Sequence, residues 1–340
     1  MDSIGWDLGG AHLKAVRLDS SGCALAAVQL PCPLWRGLRH LEKALDQAMR
    51  DVGEGRLHAV TMTGELADIF PDRTNGVTRL VETMYARFPG KVMRVFSGRR
   101  GFVSPQAAPA HAGEIASANW LASAQFVARH CANGVFVDMG STTTDIVVLR
   151  DGRAQPQGMS DAERLTSGEL VYTGLVRTPV MAVVRRVPFN GDMQRIAAEH
   201  FATMADVHRL IGNLPEFHDM AETADGCGKS VEDSARRLAR MVGRDLRDAP
   251  MVAWVALAHF IAGTQLQELA STMQVLADGM PGPVVGAGAG RHVVRELARR
   301  AGRAYVDFSE LVSGGEDARK WAAVCAPAYS VAWLARAEAP

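Results

Sequence analysis

The sequence has no excess of charge of either sign and no apolar run long enough to cross a membrane. Its 37 basic and 37 acidic side chains cancel over 340 residues, so nothing indicates a nucleic-acid surface, a polybasic anchor or an acidic tail. The longest apolar run, 251–263, falls short of the roughly 20 residues that span a bilayer. We expect no nucleic-acid or membrane partner, and binding specificity must come from a pocket.

Cysteine pairs and metal-binding histidine pairs are also absent. The five cysteines form no Cys-x-x-Cys motif, so neither a zinc knuckle nor a disulfide framework is indicated. The ten histidines include no His-Glu-x-x-His motif, which argues against zinc catalysis, and the serines lack a nucleophile elbow. Because the cysteines are scattered without Cys-x-x-Cys pairs, we expect a reducing, cytoplasmic setting.

The composition predicts a large folded protein with two domains or subdomains, since 48% of the residues are apolar. Strand and helix patterns alternate through the first half of the chain, which predicts an α/β architecture there. Amphipathic runs in the second half predict a mostly helical segment. These runs are 193–211, 231–246 and 251–276, with Asp192, Ser230 and Pro250 as their expected helix starts.

One type of loop occurs twice. The segments 4–22 and 135–152 each contain an apolar strand, an Asp-x-Gly turn rich in small residues and a second apolar strand. Glycines let backbone N–H groups approach phosphate oxygens, and the aspartate holds a cation or an attacking water. The pair therefore predicts two phosphate-binding hairpins; the alternative is two structural hairpins whose turn side chains bond locally.

The two loops supply different side chains to this predicted site. In the first loop the Lys14 ammonium group follows the turn and is placed to reach a phosphate oxygen. In the second loop four consecutive hydroxyl residues follow the turn glycine, and they suit hydrogen bonds to phosphate oxygens. The predicted phosphate-binding residues of the two loops are Gly9, Gly10, Lys14, Gly140, Ser141, Thr142 and Thr143.

Two further segments carry phosphate-binding signals. Gly286, Gly288 and Gly290 lie between a strand and a helix, where backbone N–H groups and a helix dipole attract an anion. This loop resembles a Rossmann loop with Asp307 near the expected acidic position, but it follows two phosphate hairpins and little chain remains after it. Lys229 resembles the end of a P-loop without the full spacing, and we consider it a secondary phosphate or substrate contact.

The three loops, in this order, resemble those of the actin, sugar-kinase and chaperone ATPase superfamily. The segment GELVYTG at 168–174, followed by Arg177-Thr178-Pro179, is similar to the hydantoinase and oxoprolinase branch. TMTGELADIFPDRTNGV at 61–77, ANW at 118–120 and TADGCGKSVEDSARRLARMVGRD at 223–245 resemble the family of tetrahydromethanopterin-linked one-carbon transfer pathway proteins. This resemblance covers nearly the whole chain.

The resemblance implies an α/β fold of two ribonuclease-H-like domains around a central cleft. The first domain is expected at 1–134, completed by 315–340 near the end of the chain. The second is expected at 135–314, with a helical insertion at about 190–280.

The resemblance also implies an activity in methanofuran biosynthesis, for which a methylotrophic bacterium would be a natural source. An aminomethylfuran-methyl diphosphate condenses with the phenol of tyramine or γ-glutamyl-tyramine, giving an ether and free diphosphate. A Mg²⁺ ion held by Asp7, Asp138 or Asp145 would neutralise the leaving group, which makes Asp138 catalytic as well. Glu65 and Glu169 are the candidate bases, chosen for their places in the family motifs.

Two other functions stay open. An ATP-dependent enzyme of the same fold, either a small-molecule kinase or an oxoprolinase-like or hydantoinase-like hydrolase, would use the loop at 286–290 to bind ATP. A non-catalytic nucleotide-binding regulator would bind ADP and turn over no furan substrate. The sequence leaves open the identity of the phenol and whether the chains form a homo-oligomer.

Overall fold

The computed structural model describes residues 1–337, apart from the side chain of Glu216. Two mixed sheets and a helical insertion make up this part of the chain. The last residues of the predicted first domain, 338–340, lie outside the described residues. The domain boundaries remain a prediction.

The first sheet has the order β3-β2-β1-β4-β5-β6. Its central strand β1 is buried along its whole length, as expected for an apolar strand covered on both faces. This strand pairs antiparallel with β2 and parallel with β4. The strands are β1 (Ser3–Leu8), β2 (His12–Leu18), β3 (Ala24–Pro31), β4 (Leu57–Met62), β5 (Val92–Phe96) and β6 (Phe102–Val103).

The second sheet repeats this topology, with the order β10-β8-β7-β13-β14 and β9 paired to β8. Again an antiparallel hairpin, β7 with β8, lies beside parallel strands. The strands are β7 (Gly134–Met139), β8 (Thr144–Arg150), β9 (Arg153–Ala154), β10 (Leu170–Val171), β11 (Arg186–Phe189), β12 (Asp192–Arg195), β13 (Val284–Ala287) and β14 (Tyr305–Asp307), of which β11 and β12 form a separate ribbon.

Helices cover both sheets and join them. They are α1 (Arg39–Val52), α2 (Arg73–Arg87), α3 (Ala112–Ile115), α4 (Asn119–Ala128), α5 (Asp161–Ser167), α6 (Val180–Val183), α7 (Met204–Leu210), α8 (Val231–Met241), α9 (Met251–Leu276), α10 (Arg291–Arg300), α11 (Phe308–Leu311), α12 (Glu316–Val324) and α13 (Ala326–Ala337). Among the helices of residues 1–337, none is long and apolar enough to cross a bilayer.

Two of these helices form the interior between the sheets. Helix α13 packs on β1, β2 and β4, helix α4 packs on β7 and β8, and the two helices pack on each other. Their contact surface is one apolar cluster that includes Val16 of the first sheet, Phe136 of the second, and Phe126 and Tyr329 of the helices. A side chain at Gly5 would overlap the backbone carbonyl of Ala328, so β1 needs glycine there for α13 to pack this closely.

The helical insertion has its own apolar core around Trp254, contributed by α6 to α9 and the β11–β12 ribbon. Helix α9 has the predicted bounds, and Ser230 and Pro250 precede helices as predicted. The helix predicted over 193–211 is wrong in its first half. Just before this range, Asn190 and Gly191, with φ of 52° and 88°, form a tight turn between β11 and β12. The range therefore starts in β12, and the helix begins only after Thr203.

Candidate active site

The hairpin of β1 and β2, the first hairpin, presents two backbone N–H groups at its turn. The Gly9 N–H group donates to the His12 carbonyl at 3.0 Å, which leaves Gly10 and Ala11 at the corners. The segment after β3 then donates to the carbonyls of these corner residues, from Cys32 to Ala11 at 2.8 Å and from Leu34 to Gly10 at 3.0 Å. That segment occupies the carbonyls of the two corner residues, whereas their N–H groups make no backbone hydrogen bond in the described residues and remain for a ligand.

The hairpin of β7 and β8, the second hairpin, has the same arrangement. Gly140 donates to the Thr143 carbonyl at 2.9 Å, and the segment after β10 donates to the turn carbonyls. Leu175 donates to Gly140 at 3.0 Å, and Arg177 donates to Ser141 at 2.8 Å. Over residues 1–337, no backbone hydrogen bond uses the N–H groups at the corners of either hairpin.

Both hairpins line one cavity of about 400 Å³ between the two sheets, here called the central cavity. All seven predicted phosphate-binding residues of the two loops line it: Gly9, Gly10, Lys14, Gly140, Ser141, Thr142 and Thr143. The cavity therefore receives N–H groups, hydroxyls and one ammonium group from two symmetric elements. Such a donor set suits an anion with several oxygen atoms, such as a diphosphate.

Each hairpin has one pair of charged residues that face each other across its two strands, close to the turn. Asp7 pairs with Lys14 across the first hairpin, and Asp138 pairs with Asp145 across the second. The Lys14 ammonium lies 3.6 Å from the Asp7 carboxylate, which also accepts a hydrogen bond of 3.3 Å from the Asn119 amide. The predicted site residues Asp7, Lys14, Asp138 and Asp145 are thus brought together in the central cavity.

Burial shifts the pKa values of these groups. It raises the pKa of Asp7, against the opposing effect of Lys14, and raises the pKa of Asp138 to about 7. Burial acts to lower the pKa of Lys14, but Asp7 and Asp138 outweigh it and the net direction is upward. The cavity therefore holds a lysine that stays protonated and a carboxyl group that changes protonation near neutral pH.

The charge of Asp145 is balanced by a buried arginine. The Arg164 guanidinium contacts the Asp145 carboxylate at 2.8 Å and lies 3.8 Å from the centre of the Trp120 ring. It also donates to the Glu169 carbonyl at 3.1 Å. Because Arg164 already compensates it, Asp145 is a weaker candidate for a metal ligand than Asp7 or Asp138.

Comparison with known proteins decides the family. The model of the hydantoinase/oxoprolinase family matches residues 56–310, more than half of the chain. The chain belongs to the hydantoinase/oxoprolinase family. The predicted membership of this branch is therefore confirmed.

Two relatives of this family member have a named activity. A (4-{4-[2-(γ-L-glutamylamino)ethyl]phenoxymethyl}furan-2-yl)methanamine synthase of Methanocaldococcus jannaschii is 27% identical over 333 residues, which cover 97% of this chain and 96% of that protein. The synthase of the same name from Methanococcus vannielii is 33% identical over 124 residues, 36% of this chain and 55% of that protein. With a named synthase as a relative over nearly its whole length, the family member is an enzyme.

A solved structure of acetone carboxylase in its nucleotide-free state is similar in fold. Its TM-score is 0.52 with 10% identity, and the match covers 87% of this chain and 67% of that chain. At this identity the similarity concerns the fold alone. The predicted fold class, two ribonuclease-H-like α/β domains around a cleft with a helical insertion, is confirmed.

Glu65, one candidate base of the enzyme, lies behind the wall of the central cavity. Its carboxylate is buried and accepts a hydrogen bond of 2.9 Å from the hydroxyl of Ser117, which lines the cavity. The second oxygen of Glu65 is buried without a hydrogen-bond partner in the described part of the chain, and burial raises the pKa of Glu65. Ser117 has a φ of 53°, and such strained non-glycine residues cluster at functional sites.

Glu169, the other candidate base, lies elsewhere. Its two carboxylate oxygens accept backbone hydrogen bonds from Gln157 at 2.8 Å and Gly158 at 2.9 Å, and the Ser167 hydroxyl donates a third bond of 2.9 Å. Glu169 does not line the central cavity. Both oxygens are occupied in holding a turn, so these contacts favour a structural role and we retain Glu65 as the candidate base.

The loop at 286–290 does not offer the expected free N–H groups. Gly288 donates to the Ala323 carbonyl and Gly290 donates to the Met139 carbonyl, both at 2.8 Å, while Gly286 lies within β13. A side chain at Gly288 would overlap the carboxylate of Asp138. The contacts of these glycines give no support to phosphate binding, which stays a prediction, because the loop uses Gly288 and Gly290 to pack closely on the end of β7.

Lys229 also lies away from the central cavity. Its ammonium group donates to the Asp219 carbonyl at 2.8 Å and contacts the Asp219 carboxylate at 3.3 Å. This lysine closes a loop of the insertion and does not line the central cavity with the two hairpins. Its predicted contact with phosphate therefore has no support from its position.

The side chains of the described residues do not form a complete metal site by themselves. In residues 1–337, no group of three or more His, Cys, Asp or Glu side chains is arranged to hold a metal ion. Mg²⁺ is commonly bound by one or two carboxylates together with substrate phosphate oxygens. Asp7 and Asp138 fit that second type of site, because both line the cavity that would receive the phosphates.

Two side chains of the central cavity, Ser117 and Arg164, are not predicted by the motifs. Ser117 directly precedes the family motif at 118–120, so its position is the one signal that the sequence contains. Arg164 follows the capping box of α5, formed by Ser160 and Glu163, which predicts a helix start but not a buried arginine.

Proposed function

We propose that this enzyme forms an aryl ether in the biosynthesis of a methanofuran-type one-carbon carrier. Its substrates are an aminomethylfuran-methyl diphosphate and the phenol of tyramine or γ-glutamyl-tyramine, and it releases diphosphate. The single observation that carries the proposal is the pair of matched hairpins, whose corner N–H groups lie at one cavity together with Lys14, Asp7 and Asp138. The relationship to the Methanocaldococcus jannaschii synthase over nearly the whole chain supports the same reaction.

The hairpins bind the leaving group in this reaction. As the bond between the furan methylene carbon and the diphosphate oxygen breaks, its electron pair leaves with the diphosphate. The corner N–H groups, the hydroxyls of Ser141 to Thr143 and the Lys14 ammonium stabilise that negative charge. The furan ring stabilises the positive charge left on the methylene carbon, and the phenol oxygen forms the new bond to it.

A Mg²⁺ ion held by Asp7, Asp138 and diphosphate oxygens would add further neutralisation of the leaving group. Asp138 must be ionised for this role. Since burial raises its pKa to about 7, the proposal places part of the pH dependence of turnover on this carboxyl group.

The proton of the phenol passes to Glu65 through the Ser117 hydroxyl. Ser117 lines the cavity and donates to Glu65. Ser117 therefore passes its own proton to Glu65 as it takes the proton of the phenol, and no net charge is left on Ser117. The raised pKa of Glu65, caused by burial, makes its carboxylate a stronger base. Neutral ether and protonated Glu65 then remain, and the proton returns to solvent after diphosphate leaves.

The test follows both products of the reaction. Purified enzyme with Mg²⁺ is incubated with the furan diphosphate and tyramine or γ-glutamyl-tyramine, and ether and diphosphate are measured together. We expect the two products in equal amounts and no hydrolysis of ATP in a separate incubation. Steady ATP hydrolysis without ether would replace this proposal by an ATP-dependent enzyme of the same fold, and ADP binding without either reaction would favour a regulator.

A further inference from the structure

A second cavity of about 410 Å³ opens beside the central cavity and is called the apolar cavity. Its walls come from the two segments that hold the hairpin carbonyls and from the insertion. Pro33 and Trp35 follow β3, Val176 and Pro179 follow β10, and Ala221 belongs to the insertion. The same backbone bonds that orient the hairpins therefore also position this cavity.

The two cavities are continuous at the hairpins. Four residues line both of them: Ala11, His12, Trp35 and Arg177. The Arg177 guanidinium lies 5.4 Å from the centre of the Trp35 ring and 3.5 Å from the Thr142 hydroxyl. A ligand in the apolar cavity thus meets a ligand of the central cavity at this junction.

Most charged groups around the apolar cavity already have partners. The buried carboxylate of Asp206 contacts Arg237 at 2.7 Å, and Asp219 contacts Arg209 and Lys229. Burial, with Lys14 and Arg177 acting in the same direction, lowers the pKa of His12 to about 3, so its imidazole is uncharged. The interior of this cavity therefore favours an uncharged aromatic group over a phosphate.

Polar groups lie at the entrance instead. The side chains of Arg36 and Glu222 line the apolar cavity and contact each other at 3.0 Å, with exposed fractions of 49% and 78%. Because this pair is open to solvent, it offers exchangeable partners to a charged tail. An aromatic ring with a charged tail matches this order of groups from the interior to the entrance.

We propose that the apolar cavity binds the acceptor of the reaction, a phenol with an amine-bearing tail. Its ring lies between Trp35 and the proline side chains, and its hydroxyl reaches the diphosphate donor at the junction with the central cavity. This assignment rests on the proposed function for the identity of the acceptor. The cavity itself is defined by its walls and by its continuity with the hairpins.

The test measures acceptor binding apart from turnover. Tyramine is titrated into the enzyme by calorimetry with saturating Mg²⁺ and inorganic pyrophosphate in place of the donor. Ala221→Phe adds a ring inside the apolar cavity, and Trp35→Ala removes one wall. Ala86→Phe is the matched control, because Ala86 is exposed on α2 and lines neither cavity.

We expect tyramine to bind wild type and Ala86→Phe alike. Ala221→Phe should weaken tyramine binding at least tenfold, and Trp35→Ala several-fold. In steady-state kinetics the KM for the phenol should rise while the KM for the furan diphosphate stays within twofold. Trp35 is 43% exposed, so its variant remains informative if Ala221→Phe does not fold.

The outcomes separate this assignment from the proposed function. Wild-type tyramine affinity in both cavity variants overturns the assignment even if ether forms, and so does a rise in the KM for the furan diphosphate alone. An enzyme that forms no ether, yet binds tyramine in wild type and loses binding in Ala221→Phe, overturns the reaction and supports the cavity. Absence of tyramine binding in wild type overturns the assignment.

Discussion

At the scale of single residues, Asp138 couples the central cavity to pH. Burial raises its pKa from 3.8 to about 7. Between these values the unfolded chain has released this proton and the folded chain retains it, so stability falls as pH rises through this window. We expect Asp138→Asn to weaken the fall of the thermal midpoint between about pH 4 and pH 7, and to reduce turnover at least about 100-fold.

The matched control for this variant is Asp46→Asn. Asp46 carries the same group with 48% of its side chain exposed, in an ion pair with Arg87 on the surface, where such pairs contribute about 0–1 kcal/mol. Its variant should keep the wild-type turnover and the wild-type slope of midpoint against pH. A wild-type slope in Asp138→Asn would show that this carboxyl group is ionised in the folded enzyme at all of these pH values.

Glu65 and Glu169 form a second matched pair, because both are buried, but only Glu65 accepts from the cavity-lining Ser117 and keeps one oxygen unpartnered in the described residues. Glu65→Gln should lower kcat about 10²–10⁴-fold with little change in either KM. Glu169→Gln should instead lower the free energy of unfolding by about 1–3 kcal/mol, since its backbone partners lose a charged acceptor. Kinetics and urea unfolding separate the two effects, and an equal loss of kcat in both variants would contradict these roles.

The same pair shows what the sequence reveals about single residues. Both glutamates lie in family motifs, and motif membership does not say which side a carboxylate faces. Lys14 and Asp7 were predictable because a hairpin places them at a known register across from each other. The Arg164–Asp145 pair was not, since it joins a helix to a strand through packing that appears only in the folded chain.

At the scale of elements, the loop between β13 and α10 depends on one glycine. Gly288 has a φ of 82°, and a side chain there would overlap Asp138 and Met139, whereas Gly279 has a φ of 65° with nothing near its missing Cβ. Gly279→Ala should cost about 1 kcal/mol of stability from the backbone alone. Gly288→Ala should cost about 1–3 kcal/mol more and also weaken diphosphate binding.

Urea unfolding of the two glycine variants gives the difference directly. Pyrophosphate binding, measured by calorimetry with Mg²⁺, shows whether displacement of Asp138 reaches the central cavity. Equal loss of stability in both variants would mean that the loop moves away from β7 at little cost.

Periodicity predicted the long elements and failed on the short ones. Helix α9 has its predicted bounds because a 26-residue helical pattern after Pro250 has few alternatives. The end of β12 was predicted as the start of a helix over 193–211, although Asn190-Gly191 before it is a strong hairpin signal. Four-residue strands are too short for a period of two to outweigh a helical pattern nearby.

At the scale of the whole molecule, the two sheets repeat one topology, and each presents its hairpin to the same cavity. The sequence showed the repeated loop, but the facing of the two hairpins depends on α4 and α13, which pack on each other between the sheets. Helical periodicity indicates a buried face and does not identify the partner of that face. A ligand that contacts both hairpins should therefore stabilise both halves together.

Pyrophosphate with Mg²⁺ should raise the thermal midpoint of the whole enzyme in one transition. A ligand at 100 times its Kd adds about 2.7 kcal/mol to the stability of the state that binds it. Lys14→Met in the first hairpin and Ser141→Ala in the second should each reduce this shift. Lys91→Met should not, because Lys91 contacts Glu54 and does not line the central cavity. Because a diphosphate held by one hairpin alone would be sensitive to one variant only, an unchanged shift in either Lys14→Met or Ser141→Ala would rule out joint binding by the two halves.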